Sequence, residues 1–412
     1  MNIRSEENGS AFGFGEIRKK SMKRGGLKIL YIAHERKLGG ATLSLLAAID
    51  EMRTRGHEIY VMIPVSKCPL AQELQKRNIP FYSMFFAWIQ MPSYWNRFMK
   101  ICFRILYLLS PLQVCYIYHI VRKKQIDIIH SNSSVIDFGA MLAQKLNCKH
   151  VWHIREFGDR DYSLEYLKTK KKVWEYMNSH TDKFIFISKR LYEYFADYAD
   201  SAKSEVIYNG ISDDYIIHRN YTEKEKIVFL ISGNLTRSKG QMLLLQAAKE
   251  LKNKNYQFEV WIAGSASSMS DSKLYEAELK MYIDENLTDR VTMLGRIADM
   301  KKLREKADVE IVASSMEAFG RVTVEAMMGG MPVIGSDSGA NPELICNGSD
   351  GLLFKNGNYM DLAAKMEIFL NDYSQIRKMG ENAQIKACNR FLSEENAEKI
   401  ENLYYNIMDS RV

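Results

Sequence analysis

The sequence predicts an α/β protein: two doubly wound, Rossmann-like parallel sheets facing one another across a cleft. Three observations carry that expectation. Short apolar runs of strand type alternate with amphipathic helical stretches along most of the chain. The alternation restarts after a polar, charged stretch near residues 212–225, which divides the chain in two. A length of 412 residues exceeds what one hydrophobic core ordinarily holds. Crossover helices cover both faces of such a sheet, so its strands read as continuous apolar runs.

In order, Leu27–Ala33 (LKILYIA) opens the first series and runs through His34–Gly40 into a helix over about Ala41–Arg55. Strand Glu58–Ile63 follows the Arg55-Gly56 break, then a helix near Ala71–Arg77. Strands Ile126–His130, His150–Ile154, Lys183–Ile187 and Ser204–Tyr208 complete this half. The second half carries Ile227–Ser232, Phe258–Gly264, Val291–Leu294, Val309–Ala313, Met331–Gly335 and Gly351–Phe354. It closes with helices over about Met360–Leu370, Tyr373–Asn389 and Ser393–Asp409. The expected division is a basic, disordered extension over 1–26, a first domain over 27–215 and a second over 216–392.

The 46% hydrophobic and 26% charged fractions are those of an ordinary globular protein. Cysteines at 68, 102, 115, 148, 346 and 388 have no zinc or redox spacing and read as buried or incidental thiols of a reducing, cytoplasmic compartment. The charge is lopsided: residues 1–215 carry a net +10 and the remainder −3. The first half therefore faces something anionic, such as a phosphorylated acceptor or an acidic membrane. Nucleic acid is disfavoured, because the excess sits in an apolar helical region rather than along a polar groove. That region is distinctive. Between Glu73 and Asp127 there is no acidic residue, while eight Lys and Arg are interleaved with Phe85, Phe86, Trp88, Trp95, Phe98, Phe103, Tyr107, Tyr116 and Tyr118. Its apolar, uncharged stretch Ile105–Val121 has 17 residues, short of the roughly 20 a spanning helix needs. The readings are peripheral contact of residues 76–124 with an anionic membrane, or a buried helix hairpin with solvated cations.

The chemistry concentrates in Ala313–Phe354. A strand end leads to a polar loop with Glu317, Phe319 and Gly320, then to a helix carrying Glu325 and closed by Gly329-Gly330. A second strand enters the glycine loop Ser336–Ala340. Two strand-to-helix turns this close suit a phosphate-bearing ligand: the amides of Gly320, Arg321 and Val322 are free at a helix start. Carboxylates such as Glu317 and Glu325, with seven residues between them, accept paired hydrogen bonds from sugar diols. On one continuous helix they would lie about 80° apart, but Gly320 puts Glu317 in the loop. Upstream, Gly233–Gln241 (GNLTRSKGQ) sets Arg237 and Lys239 beside a helix start, where two cations would neutralise a diphosphate. Either loop alone is as consistent with ordinary turn chemistry or a solvated surface.

Taken together, GGLKILYIAHERKLGGA, VIYNGIS, GNLTRSKGQ, VWIAGSA, EAFGRVTVEAM, GANPELI and DGLLF resemble, in this order, the family-4 (group 1) retaining glycosyltransferases of the GT-B fold. The resemblance runs from Leu27 to the end of the chain, and the glutamate pair in its EAFG context is its most specific part. It implies transfer of a sugar from a nucleotide-diphosphate sugar to a glycan or lipid-linked acceptor, with retained configuration and no required metal or cofactor. It also implies a donor site mainly in the second domain, an acceptor site mainly in the first, and a last helix (about 393–412) that rejoins the first domain. By position, Glu325 resembles the ribose ligand, Glu317 the ligand of the transferred sugar and Lys239 the diphosphate lysine. Gly40 and Gly233 resemble the glycines of close phosphate approach, and Phe319, Gly320, Arg321 and Val322 the donor loop.

Two departures stand out. The family has arginine where this chain has Asn234, with Arg237 as its replacement. It also commonly has histidine after the fifth strand, where VWHIREFGD aligns Arg155 and leaves His153 packed in the strand. Arg155 is then expected at the donor, with His130, Asn132 and Glu156 on the acceptor side. Asp159-Arg160-Asp161 has the form of a manganese tripeptide but lies far from the donor motifs. The expected place is the cytoplasm, either free or peripheral on the cytoplasmic membrane face. The alternatives are a nucleotide-sugar epimerase of the same fold and a non-catalytic subunit of a glycosylation complex.

Overall fold

The computed structural model describes residues 25–267 and 270–410, so nearly all of the expected basic extension lies outside the described residues. Among the described residues fifteen strands follow in chain order. In the first half these are β1 (Lys28–Ile32), β2 (Glu58–Ile63), β3 (Phe81–Ser83), β4 (Gln90–Pro92), β5 (Ile128–Ser131), β6 (Lys149–Ile154), β7 (Leu164–Tyr166), β8 (Lys183–Phe186) and β9 (Ser204–Val206). The second half has β10 (Ile227–Ser232), β11 (Phe258–Ala263), β12 (Val291–Gly295), β13 (Val309–Val312), β14 (Val333–Ser336) and β15 (Gly351–Phe354).

They form two parallel sheets, β3-β2-β1-β5-β6-β8-β9 and β12-β11-β10-β13-β14-β15, so the fold is two Rossmann-like units as expected. Strands β2, β10 and β15 have the bounds read from the sequence. Met331 and Pro332 do not begin a strand. Gly330, at φ 67°, ends the preceding helix, and the Met331 amide still bonds the Ala326 carbonyl (3.0 Å). The reading also missed β3 and the antiparallel pair β4/β7, each three residues long and too short to show a period.

The last helix, Ser393–Asp409, packs on the first-domain helix Gly40–Thr54, joining Ala397, Ile400, Leu403 and Tyr404 to the core of Leu45, Leu46 and Ile49. Its Glu401 bonds Arg55 (3.0 Å) and His57 (2.9 Å). A second tie links the halves. Glu343 accepts from the amides of Lys189 and Arg190, the first residues of helix Lys189–Phe195, and from Tyr208.

The aromatic, basic region is not a buried hairpin. Helices Arg97–Leu108 and Ser110–Val121 run on through a joint at Leu109, forming a helical stretch to Lys124 that is long and apolar enough, by length and composition, to cross a membrane. Counting uncharged residues had excluded a span on length; packing argues against it instead. Val114, Ile117 and Val121 belong to the core with Leu30, Ile129 and Phe138, so one face is committed to the domain.

Candidate active site

Each sheet reverses its winding between two neighbouring strands, β1/β5 and β10/β13. Loops leaving the carboxyl ends there open the crevice in which such sheets bind ligands. In the second sheet these are the loops after β10 and β13, and they touch. Gly240, at φ 75°, lies so close to the other loop that a Cβ there would meet the Ala313 carbonyl at 2.3 Å. Ser315 N–H donates to the Ser238 carbonyl (2.8 Å). This approach brings Lys239 Nζ to 2.5 Å from Glu317 Oε1. Glu317 is held from its other side by the Ser336–Ala340 loop: Ala340 N–H donates to its carbonyl (2.9 Å), and only a glycine at 339 (φ 58°) fits against its backbone.

Gly320, at φ 96°, is the N-cap of helix Arg321–Met328. Phe319 is turned inward, edge-on to Phe391 and tilted against Tyr208, and supports the loop rather than lining it. One turn into the helix Glu325 is buried, and both its oxygens are engaged. Arg304 Nη1 donates to Oε2 and Arg321 Nη2 to Oε1, each at 2.9 Å. Arg304 also binds Glu310 (3.2 Å), a carboxylate in the middle of β13 that further accepts from Ser232. The second domain thus buries an arginine between two glutamates, raising the Arg304 pKa despite its burial.

Arg321 reaches across the cleft. Its Nη1 donates to Ser44 Oγ (2.9 Å) on the first-domain helix, and a Cβ at Gly40 would lie 3.2 Å from its Cδ. Gly40 and the Glu325 helix therefore face each other. Beside Gly40, Glu35 accepts from Thr42.

Arg155, at the end of β6, is buried and fixed: Nε donates to Asn132 Oδ1 (2.8 Å), Nη1 to Asn209 Oδ1 (2.6 Å) and Nη2 to His153 Nδ1 (3.2 Å). Because a guanidinium only donates, His153 Nδ1 is the acceptor. His130 Nε2, 3.0 Å away, then carries a proton, and His130 Nδ1 accepts from the Tyr404 hydroxyl at 2.6 Å. Burial holds both imidazoles well below their ordinary pKa, hence neutral. The chain from Tyr404 through His130 and His153 orients Arg155 from the last helix. His130, expected to line the acceptor side, is instead enclosed in the sheet; Asn132 is spent on Arg155. His153 is packed as expected, although its Nε2 has no partner among the described residues.

Glu156 is buried with its Oε1 accepting from Ser133 Oγ, Ser134 N and Ser134 Oγ (2.8, 2.6 and 2.5 Å). Burial outweighs these donors and pushes its pKa from 4.5 up to about 7. The folded value lies above the unfolded one, so this group's stabilisation is complete below about pH 4.5 and lost as pH rises through 7. Relative to Glu156→Gln, the wild type should lose on the order of 3 kcal/mol between pH 4.5 and pH 8. Melting curves of both proteins across that range check this; a constant difference would refute it.

Two sequence candidates lie elsewhere. Arg237 points away from Lys239: its guanidinium bonds Glu278 (2.6 Å) and lies over Tyr275. Asp161 caps the amides of Phe157 and Gly158, and Asp159 accepts from Tyr194, so this tripeptide is a turn with its carboxylates in use. Among the described residues no group of three or more His, Cys, Asp or Glu is placed to hold a metal. The reading from sequence missed Arg304, Ser44 and Glu35. For Arg304 there was a signal: Glu310 interrupts an apolar strand and demands a buried cation. Ser44 and Glu35 carried none.

Comparison with known proteins identifies the family and the fold. The family described as Glycosyl transferases group 1 matches residues 214–386, and Glycosyltransferase Family 4 matches residues 38–215. A 41.2 kDa protein of the Klebsiella pneumoniae cps region is 30% identical over 292 residues, 66% of this chain and 75% of that protein. The Escherichia coli O-antigen biosynthesis glycosyltransferase WclY is 25% identical over 311 residues, 69% of this chain and 80% of its own. Among solved structures, Anabaena HepE in complex with UDP and glucose superposes with a TM-score of 0.73 at 22% identity, over 92% of this chain and 99% of that one.

Proposed function

The chain belongs to the group 1, family 4 glycosyltransferases, and from that premise we propose a retaining, metal-independent hexosyltransferase of surface polysaccharide or glycoconjugate synthesis. Its donor is a nucleotide-diphosphate sugar, and its acceptor a glycan or lipid-linked sugar presented at the cytoplasmic membrane face. The observation that carries this reading is the Lys239–Glu317 pair at the β10/β13 crevice, beside the helix start that leads to Glu325. In the complex Lys239 turns from Glu317 to the diphosphate, and Glu317 takes hydroxyls of the transferred sugar. Glu325 accepts the ribose diol, while the Arg321 and Val322 amides and Gly40 and Gly233 border the phosphates. Arg155 presents its charge from the opposite wall, and Glu156 offers its remaining oxygen to an acceptor hydroxyl.

The reaction we infer is front-face displacement. The bond from the sugar anomeric carbon to the phosphate oxygen breaks as the acceptor oxygen bonds the same face, and a donor phosphate oxygen takes the acceptor proton. Lys239 and the helix amides stabilise the charge on the departing phosphate. Arg237 has no part in this.

Because relatives of the fold include a UDP complex, UDP-sugars come first in the test. The purified protein melted against a panel of nucleotide sugars should be stabilised by one of them; a ligand at about a hundred times its Kd adds about 2.7 kcal/mol. No shift and no consumption with any member would sink the reading. Conversion of the sugar without an acceptor would identify an epimerase, and binding without transfer to any acceptor a non-catalytic subunit.

A further inference from the structure

Exposed large apolar side chains gather on one helical stretch of the first half. Along helices Arg97–Leu108 and Ser110–Val121, Phe98, Ile101, Ile105, Leu108, Leu112 and Tyr116 recur every three or four residues, and all are exposed. Phe98 and Leu108 are each 74% exposed, and the first helix buries no residue at all. In the second helix the exposed row lies about 150° round from the buried Val114, Ile117 and Val121, so it points away from the domain. A continuous apolar ridge of this kind marks an interaction surface.

Its surroundings indicate the partner. Arg97, Arg104, Arg122, Lys123 and Lys124 are exposed along or at the end of the ridge, and no acidic residue occurs between Glu73 and Asp127. A second copy docked through this face would set the same cations against themselves, since a twofold contact pairs a patch with itself. A spanning arrangement would pull Val114, Ile117 and Val121 out of the core. We propose that the ridge lies in the plane of an anionic bilayer surface, its apolar side chains among the acyl chains and its cations on the lipid phosphates. This rests on the reading of a membrane-presented acceptor and gives it a position. From the ridge helix Tyr107 donates to Asp137, in the loop whose Ser133 and Ser134 hold Glu156. The seated helix thus stands directly behind the acceptor side of the cleft.

The test is co-sedimentation of the full chain with vesicles of phosphatidylglycerol and phosphatidylcholine in equal parts, and with phosphatidylcholine alone, at moderate salt. The wild type should pellet with the first and not the second. Ile105→Glu with Leu112→Glu should remain in the supernatant, and Lys123→Glu or Lys124→Glu should bind at least about fivefold more weakly. All four positions are exposed except where they meet lipid, and unchanged melting temperatures confirm folding. Absence of wild-type pelleting, or equal pelleting of the Ile105/Leu112 variant, overturns the proposal. So does a dimer abolished by that variant when vesicles bring nothing down. Nucleotide-sugar stabilisation on the same samples separates the two readings: a wild type that pellets without any such shift loses the transfer reading and keeps the docking surface.

Discussion

Lys239→Ala is expected to lower kcat/KM for sugar transfer by about 10²- to 10³-fold, the usual loss when a donor to the departing charge is removed. The argument rests on where the ammonium sits. It is about a third exposed, on a loop held by the close approach of Gly240 to Ala313, and it is ion-paired with Glu317. A partly exposed pair of this kind contributes about 0–1 kcal/mol to stability, so the variant should melt near the wild type while losing turnover. The loss should fall on kcat more than on donor KM, because phosphate charge grows as the anomeric bond breaks. A variant within a few-fold of wild-type turnover would remove Lys239 from the mechanism. Arg237→Ala serves as the internal contrast: its guanidinium already belongs to Glu278, and its rate should stay near that of the wild type.

Glu325→Ala should produce a double loss. Removing the carboxylate leaves Arg304 with only Glu310 for a countercharge in a buried site, at a cost of about 3 kcal/mol of stability. It also removes charge-assisted hydrogen bonds to the ribose diol, so donor KM should rise by about ten- to a hundredfold with less change in kcat. Glu325→Gln separates the parts, retaining shape and one acceptor oxygen. Arg321→Ala isolates the bridge: it frees Glu325 Oε1, breaks the contact to Ser44 and leaves the Arg304 pair intact. Donor KM unchanged in Glu325→Ala, measured on protein shown to be folded, would refute the ribose assignment. An unchanged melting temperature would instead refute the buried-triad argument.

Much of this molecule was legible before folding. The apolar runs Glu58–Ile63, Ile227–Ser232 and Gly351–Phe354 are strands at the bounds their composition suggests, because a strand buried on both faces must be apolar throughout. Glycines at 240, 320 and 339 marked turns that no side chain could replace, since each has a positive φ and a close neighbour. The exposed ridge was foreshadowed by a segment without acids, although its helices run on rather than fold back. Partners were harder to read, because they come from distant parts of the chain. Arg155 looked free to meet a ligand, yet Asn132 and Asn209 arrive from other strand ends and occupy it.

What sequence alone determined is the pair of doubly wound sheets, the loops at their strand ends, and the lysine and two glutamates those loops carry. These follow from local rules: period, turn chemistry and the free amides of a helix start. Tertiary structure decided which charges meet. Arg237 and Lys239 lie two residues apart in a 3-10 turn, where 3.0 residues per turn throws their side chains about 120° apart. Only Lys239 therefore faces Glu317, and Arg237 leaves for Glu278. Glu325 is likewise a buried anion, because Arg304 and Arg321 converge on it from either side. Direction in space, unlike residue type, depends on how the backbone turns and on what the second helix or sheet places opposite.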